Sequence, residues 1–341
     1  MRPALWPLPI AIISAVLAMG LLLSTVFTTV HHAEAVASHV GEPYGTLLLT
    51  LAVTAIEVSV IVSVMLHGEN NPTLARESVF SNVMIASTGV VGMGLFLGGL
   101  RHRKQEVRRE GTNALLAVLI ALTVLTLILP NYTLSTSPGT FSTLQLAFVS
   151  LLSVLLYCAF LFAQTVRHQA DFVEDILSVH TDNAHNPDRR EALIRALLLV
   201  VGLLGIVLLT EQIATGLEDE LMIFQVGQTD AIIGAFIAAL VLAPEALAAI
   251  KAARNNELQR SMNIALGSAC ATIGLTIPAV AMASLFTGKE LMLGLGAGDT
   301  VLLLLALSIS IVSFGTGRTT VLTGLVHLVV FVAYLLLIVV P

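Results

Sequence analysis

The chain has 341 residues, 56% of them hydrophobic and only 11% charged, with a formal net charge of −6. Soluble domains carry about 25% charged residues, so this composition, with a mean hydropathy of +0.93, excludes soluble enzymes, nucleic-acid binders and disulfide-built secreted scaffolds. What remains is an all-α polytopic membrane protein.

A bilayer core about 30 Å thick takes roughly 20 apolar residues per helix. Apolar segments fall at about 8–30, 45–66, 79–100, 113–130, 141–166, 192–210, 230–250, 262–287, 297–314 and 319–340. They predict about ten transmembrane helices, because the runs lack the alternation of a barrel. The first run is longer than a signal-peptide core and lacks a convincing cleavage site, so it is kept as mature. Cys158 and Cys270 lie inside apolar runs and read as small buried hydrophobes. Of the 16 Lys and Arg residues, all but Arg2, Arg76 and Lys289 fall in loops on one side. That asymmetry places both termini outside and the basic side in the cytoplasm.

The longest charged interruption, the acidic linker 167–191, separates a first repeat, 1–166, from a second, 192–341. Five spans per half force the second half to enter the membrane from the opposite side, so the two are expected to form inverted five-helix repeats. Val40-Gly41 precedes a span holding Glu57, and Val226-Gly227 precedes one holding Glu245. Each of these is followed by a span opening with small and polar residues, Ser78 to Gly89 in one half and Asn263 to Gly274 in the other. Glu57 and Glu245 are the two acids expected deep within spans. A charge at a helix centre costs about 2.5–3.5 kcal/mol to insert, so such residues mark ion or proton paths.

Oxygen ligands surround these carboxylates. Thr50, Thr54 and Glu57 share a helix face, as do Ser78, Ser81, Asn82 and Ile85. Pro244 frees a backbone carbonyl beside Glu245, and Ser268 and Thr272 lie one turn apart, with Gly267 allowing close helix approach. A site of oxygens without His or Cys suits hard cations rather than zinc or copper. Protons compete for the same carboxylates, because burial favours the neutral form, and that competition is the physical basis of antiport.

The stretches TLAVTAIEVSVIVSVML…ARESVFSNVMIASTGVVG and LVLAPEALAAIKAARNNELQRSMNIALGSACATIGLTIP resemble the paired alpha-repeats of the calcium:cation antiporter superfamily. The similarity is to its bacterial calcium/proton antiporter branch, also associated with sodium and potassium exchange. The resemblance implies one cation site at the midplane, formed by Glu57 and Glu245 and alternately exposed to either side. Thr54, Ser81, Asn82, Gly267 and Ser268 are its expected supporting positions. It further implies a transporter that is no enzyme, has the lipid bilayer as its surroundings, and needs no cofactor beyond the transported ions, Ca2+ and H+ or else Na+ or K+. Where many members read Gly-Asn-Ala before each glutamate, this chain has Thr54-Ala55-Ile56 and Leu242-Ala243-Pro244, which leaves the preferred ion open. A cation channel is the alternative class.

Lesser expectations complete the reading. Glu34 and Glu42 at one mouth, and Glu211, Glu218, Asp219 and Glu220 at the other, would attract cations. Phe172, Ile176 and Val179 form one face of a short linker helix beside Asp171, Glu174 and Asp175. Asp230 and Asp299 read as helix caps, and His327 as a hydrogen-bonded packing residue within the last span.

Overall fold

A computed structural model describes residues 8–40, 44–67, 72–172, 189–223 and 229–340. Among them the long helices are, in chain order, α1 (Leu8–Val40), α2 (Tyr44–His67), α3 (Leu74–His102), α4 (Arg109–Tyr132), α5 (Thr143–Arg167), α6 (Arg189–Ile223), α7 (Thr229–Arg254), α8 (Leu258–Thr287), α9 (Ala297–Gly315) and α10 (Val321–Val339). Among the described residues, 8 helices are long and apolar enough to cross a membrane, α6 through Leu193–Thr210, and α1 and α2 add the shorter apolar stretches Leu17–Ala33 and Leu51–Met65. The protein is therefore a multi-pass membrane protein. Its outward apolar side chains agree with this: on α5, Leu144, Phe148, Leu151 and Leu155 are all exposed at helical spacing, a face suited to lipid.

The ends of three helices, α1, α3 and α6, differ from expectation for physical reasons. The 33-residue α1 and 35-residue α6 each span about 50 Å at about 1.5 Å per residue, longer than the bilayer core, so their ends reach beyond the apolar runs at 8–30 and 192–210. The third helix starts at Leu74 rather than at 79. Thr73 occupies its N-cap position, and its carbonyl accepts the Glu77 N–H at 2.9 Å. This draws Arg76 and Glu77 into a helix from which hydropathy had excluded them.

The chain forms two compact units, one of Met1–Gly68 with His185–Gly227 and the other of Glu69–Ala184 with Gln228–Pro341. In the first, α1, α2 and α6 pack on one another. Gly202 of α6 lies against the Thr29 side chain of α1, and Leu22, Ala33 and Ile206 are fully buried.

The second unit is organised around α3. Glycines set its close crossings: Gly234 of α7 faces Glu77 and Ser78, and Gly94 faces Ala253 further along both helices, so α3 and α7 run parallel. At one end of this unit the α3–α4, α7–α8 and α9–α10 turns meet. There β1 (Lys104–Glu106) pairs antiparallel with β2 (Arg318–Thr320), Gln105 Nε2 donates to Ala253 O at 2.7 Å, and Arg318 pairs with Glu106. Three of the basic turns expected on one side thus meet at one end of this unit. At the other end the segment after α8 is pinned by Met292 N–H to Pro72 O and Leu295 N–H to Leu127 O, both 2.9 Å. Asn131 Nδ2 also donates to Leu295 O, at 2.7 Å.

π-helical turns interrupt α3 at Ile85–Val90, α4 at Val124–Ile128, α5 at Ala163–Arg167 and α8 at Thr272–Thr276. Such turns insert an extra residue into the helix and often mark functional sites.

Candidate cation site

Each candidate ligand is placed by its own helix. In the first unit Glu57 stands in the middle of α2 and is 2% exposed, and Thr54, one turn earlier, is buried too. Ile56, Val60 and Ile61 near them on the helix are essentially inaccessible, and the Thr54 hydroxyl stands at i−3 from the glutamate.

In the second unit Ser78, Ser81 and Asn82 are all buried on α3 just before its π-turn. The Ser78 hydroxyl has no hydrogen-bond partner among the described residues, which leaves an oxygen inside the unit available to a ligand. Glu245 follows Pro244 inside α7 and is half-buried. The parallel register of α3 and α7 brings this part of α7 to the level of the α3 π-turn, which it packs against. On α8, Gly267 and Ser268 are half-buried, and a Cβ at Gly267 would meet only open space. The second unit therefore brings Ser81, Asn82, Glu245, Gly267 and Ser268 onto three mutually packed helices around one π-turn. Thr54 and Glu57 belong to the other unit.

The side chains of Glu34, Glu211, Glu218, Asp219 and Glu220, and all of Glu42, lie outside the described residues, as do Ile176, Val179, Glu174 and Asp175 of the linker. Phe172, at the linker's start, is buried, packs edge-on to Phe160 with ring centroids 5.9 Å apart, and gives its carbonyl to Asn263 Nδ2 at 2.5 Å.

A second acidic group went unnoticed in the sequence. At the α3, α7 and α9 starts, Glu77 is buried against Arg76, whose Nε donates to Glu77 Oε1 at 2.8 Å. Arg76 Nη1 reaches Gly294 O at 2.8 Å. Asp230 and Asp299 stand near enough to act electrostatically on Glu77, and the Arg76 guanidinium acts on both Glu77 and Asp299. Asp230 accepts from the Thr73 hydroxyl. Asp299 sits in the first turn of α9 without capping it, where a carboxylate still complements the helix dipole. The one signal in the sequence was an Arg-Glu pair just ahead of an apolar run, which usually reads as loop.

His327 is the hydrogen-bonded packing residue expected, and the fold supplies its partners. It is fully buried in α10; Nδ1 lies 2.9 Å from Ser87 O on α3, and Nε2 3.0 Å from the Ser313 hydroxyl on α9.

Comparison with known proteins completes the description. Residues 10–166 and 194–340 match the family described as "Sodium/calcium exchanger protein". The sodium-potassium/proton antiporter ChaA of Escherichia coli (strain K12) is 38% identical over 332 residues, covering 96% of this chain and 89% of its own. Among solved structures, the H+/Ca2+ exchanger CAX superposes with a TM-score of 0.72 at 17% identity, over 96% of this chain and 82% of that one. Native YfkE gives 0.72 at 18% identity, over 96% and 92%. At such identities the two structures establish a shared fold.

Proposed function

The chain belongs to the sodium/calcium exchanger protein family, as the resemblance of its paired repeats implied, and from that membership we propose that it is a cation/proton antiporter that exports Ca2+ in exchange for H+. Glu57 and Glu245 are the carboxylates that take cation and proton in turn, and Thr54, Ser81, Asn82, Gly267 and Ser268 supply neutral oxygens or the room for them. The observation that carries this reading is Glu57, a carboxyl 2% exposed in the middle of an apolar helix. A carboxylate so placed is costly to keep charged, and a cation or a proton offsets that cost. A divalent ion that displaces up to two protons balances the charge of two carboxylates, which makes the two occupancies mutually exclusive.

The architecture proposed is two inverted five-helix repeats, 1–166 and 192–341, in a bacterial plasma membrane, with both termini outside and the linker in the cytoplasm. It is supported by the π-turn that α3 and α8 each carry shortly after a stretch of small and polar residues, by the family match falling on two blocks, and by the three basic turns gathered at one end of the second unit. The second reading is Na+ or K+ exchange for H+ through the same residues, favoured by the name of the Escherichia coli relative.

The test is purified protein in liposomes with an acid interior, with internal pH followed as Ca2+, Na+, K+ or Mg2+ is added outside. Rapid alkalinisation by Ca2+, lost in Glu57→Gln and in Glu245→Gln, is the expected result. Alkalinisation by Na+ or K+ alone selects the second reading. Ca2+ entry without proton counterflow, or full exchange by both variants, rejects the mechanism.

A further inference from the structure

The π-turn of α3 separates two differently anchored halves of one helix. Before it lies the polar stripe Ser78, Ser81 and Asn82. Gly89, at the end of the turn, and Gly92, beyond it, press against α10, where a Cβ would stand 3.1 Å from the Phe331 ring and 3.0 Å from His327 Cβ respectively. One added residue turns everything past it by about 100° and moves it about 1.5 Å. The direction in which Ser81 and Asn82 project, relative to the anchored half, therefore depends on whether this turn is open or has relaxed to α-helix.

Opening the turn leaves a carbonyl behind. Val91 N–H, which α-helical spacing would send to Ser87, donates instead to Ala86 O and Thr88 O. The Ser87 carbonyl, in a residue fully buried inside the protein, needs another donor, since no water is at hand in a bilayer interior. His327 supplies it. A carbonyl only accepts, so Nδ1 carries the hydrogen, and Nε2 of the neutral ring is then an acceptor for the Ser313 hydroxyl. Three helices, α3, α9 and α10, are tied through one imidazole.

From this geometry we infer that His327 is a positioning residue for cation binding: it holds the π-turn of α3 open and so sets the projection of Ser81 and Asn82. The inference rests on the reading of those two residues as cation ligands. Ser313 contributes by holding the tautomer whose Nδ1 donates.

The experiment compares the parent protein with His327→Leu, His327→Asn and Ser313→Ala in liposomes, with rates normalised to folded transporter. Ca2+, Na+ and K+ are each titrated. His327→Leu removes the donor and is expected to raise the apparent KM for the transported cation about tenfold, the effect of losing one buried hydrogen bond. His327→Asn places an amide N–H near the position of Nδ1 and restores most of the affinity. Ser313→Ala raises KM about threefold and keeps the inference testable if His327→Leu does not fold. Amide hydrogen exchange across residues 85–92 reads the clamp independently of transport, and speeds up in His327→Leu but not in His327→Asn. An unchanged KM and unchanged exchange in folded His327→Leu, an Asn variant no better than Leu, or an unaltered KM in Ser313→Ala overturns the inference. If the parent moves no cation against protons, the antiport reading fails, and amide exchange alone decides the clamp.

Discussion

α3 and α8 each carry a π-turn shortly after a stretch of small and polar residues, yet different forces make the two. In α8 the turn Thr272–Thr276 runs directly into Ile277-Pro278. Proline has no N–H to return and its ring crowds the carbonyl four residues back, so a widened turn relieves the helix locally. In α3 no proline is near, and the turn persists because His327, 240 residues away, satisfies the carbonyl it frees. Their packing differs in the same sense. Gly274 of α8 lies against a side chain, its would-be Cβ 2.7 Å from Tyr157 Cβ on α5, whereas α3 and α10 meet backbone to backbone through Gly92 and Gly324. One corner of the second unit is thus built from local sequence, and the other from long-range contacts.

The contrast can be broken at its strongest point first. Gly324→Ala would drive a methyl into the Phe96 backbone nitrogen and to within 2.9 Å of Gly92 O. Backbone cannot step aside, so about 3 kcal/mol of stability should be lost, read as a lowered midpoint of thermal unfolding in detergent. Equal stability of variant and parent would remove the glycine crossing as an organising contact. Gly274→Ala meets Tyr157 Cβ, which moves only with its own helix, and should cost about 2 kcal/mol by the same measurement. Gly89→Ala meets only the Phe331 ring tip at 3.1 Å, which a small rotation clears, so less than about 1 kcal/mol is expected. A reversed order of these two would mean that α5 yields more readily than a single ring.

Two further changes sharpen the comparison. Pro278→Ala restores an N–H at 278 and should let the α8 turn relax, giving a slowly exchanging amide there while residues 85–92 of α3 keep their exchange rates. A fast amide at 278 would show that tertiary contacts, not the proline, hold that turn. The smallest effect belongs to Ser87→Ala. Its hydroxyl merely returns to Val83 O at 2.6 Å, and the carbonyl that His327 holds survives the substitution, so transport and stability should stay within about 0.5 kcal/mol of the parent. A large loss would transfer the importance of this position from backbone to side chain.

How far these features were legible depends on their range in the chain. The apolar runs announced the helices because lipid admits no other open backbone, and Glu57 with Thr54 stood out because a charged group amid apolar residues is costly wherever it sits. Arg76 and Glu77 were hidden, since averaging hydropathy over a window pushes an ion pair out of a span. Only the N-terminal extension of α3 to Leu74 and the carbonyl of Gly294 reveal that they are buried together. The β1–β2 ribbon carries no strand pattern in Lys104–Glu106 or Arg318–Thr320. It exists because the α3–α4 and α9–α10 turns are delivered to the same end of the unit.

By itself the sequence determined the membrane class, the helices, the asymmetry of basic turns and the family, because each follows from the order of residues along the chain. Tertiary structure alone decided which polar groups share a partner: Glu77 with Arg76 beside Asp230 and Asp299, and His327 with Ser87 and Ser313. The reason is physical. Within a membrane every buried hydrogen-bonding group has to find its complement inside the protein, and composition states that demand without saying which of many distant helices will meet it.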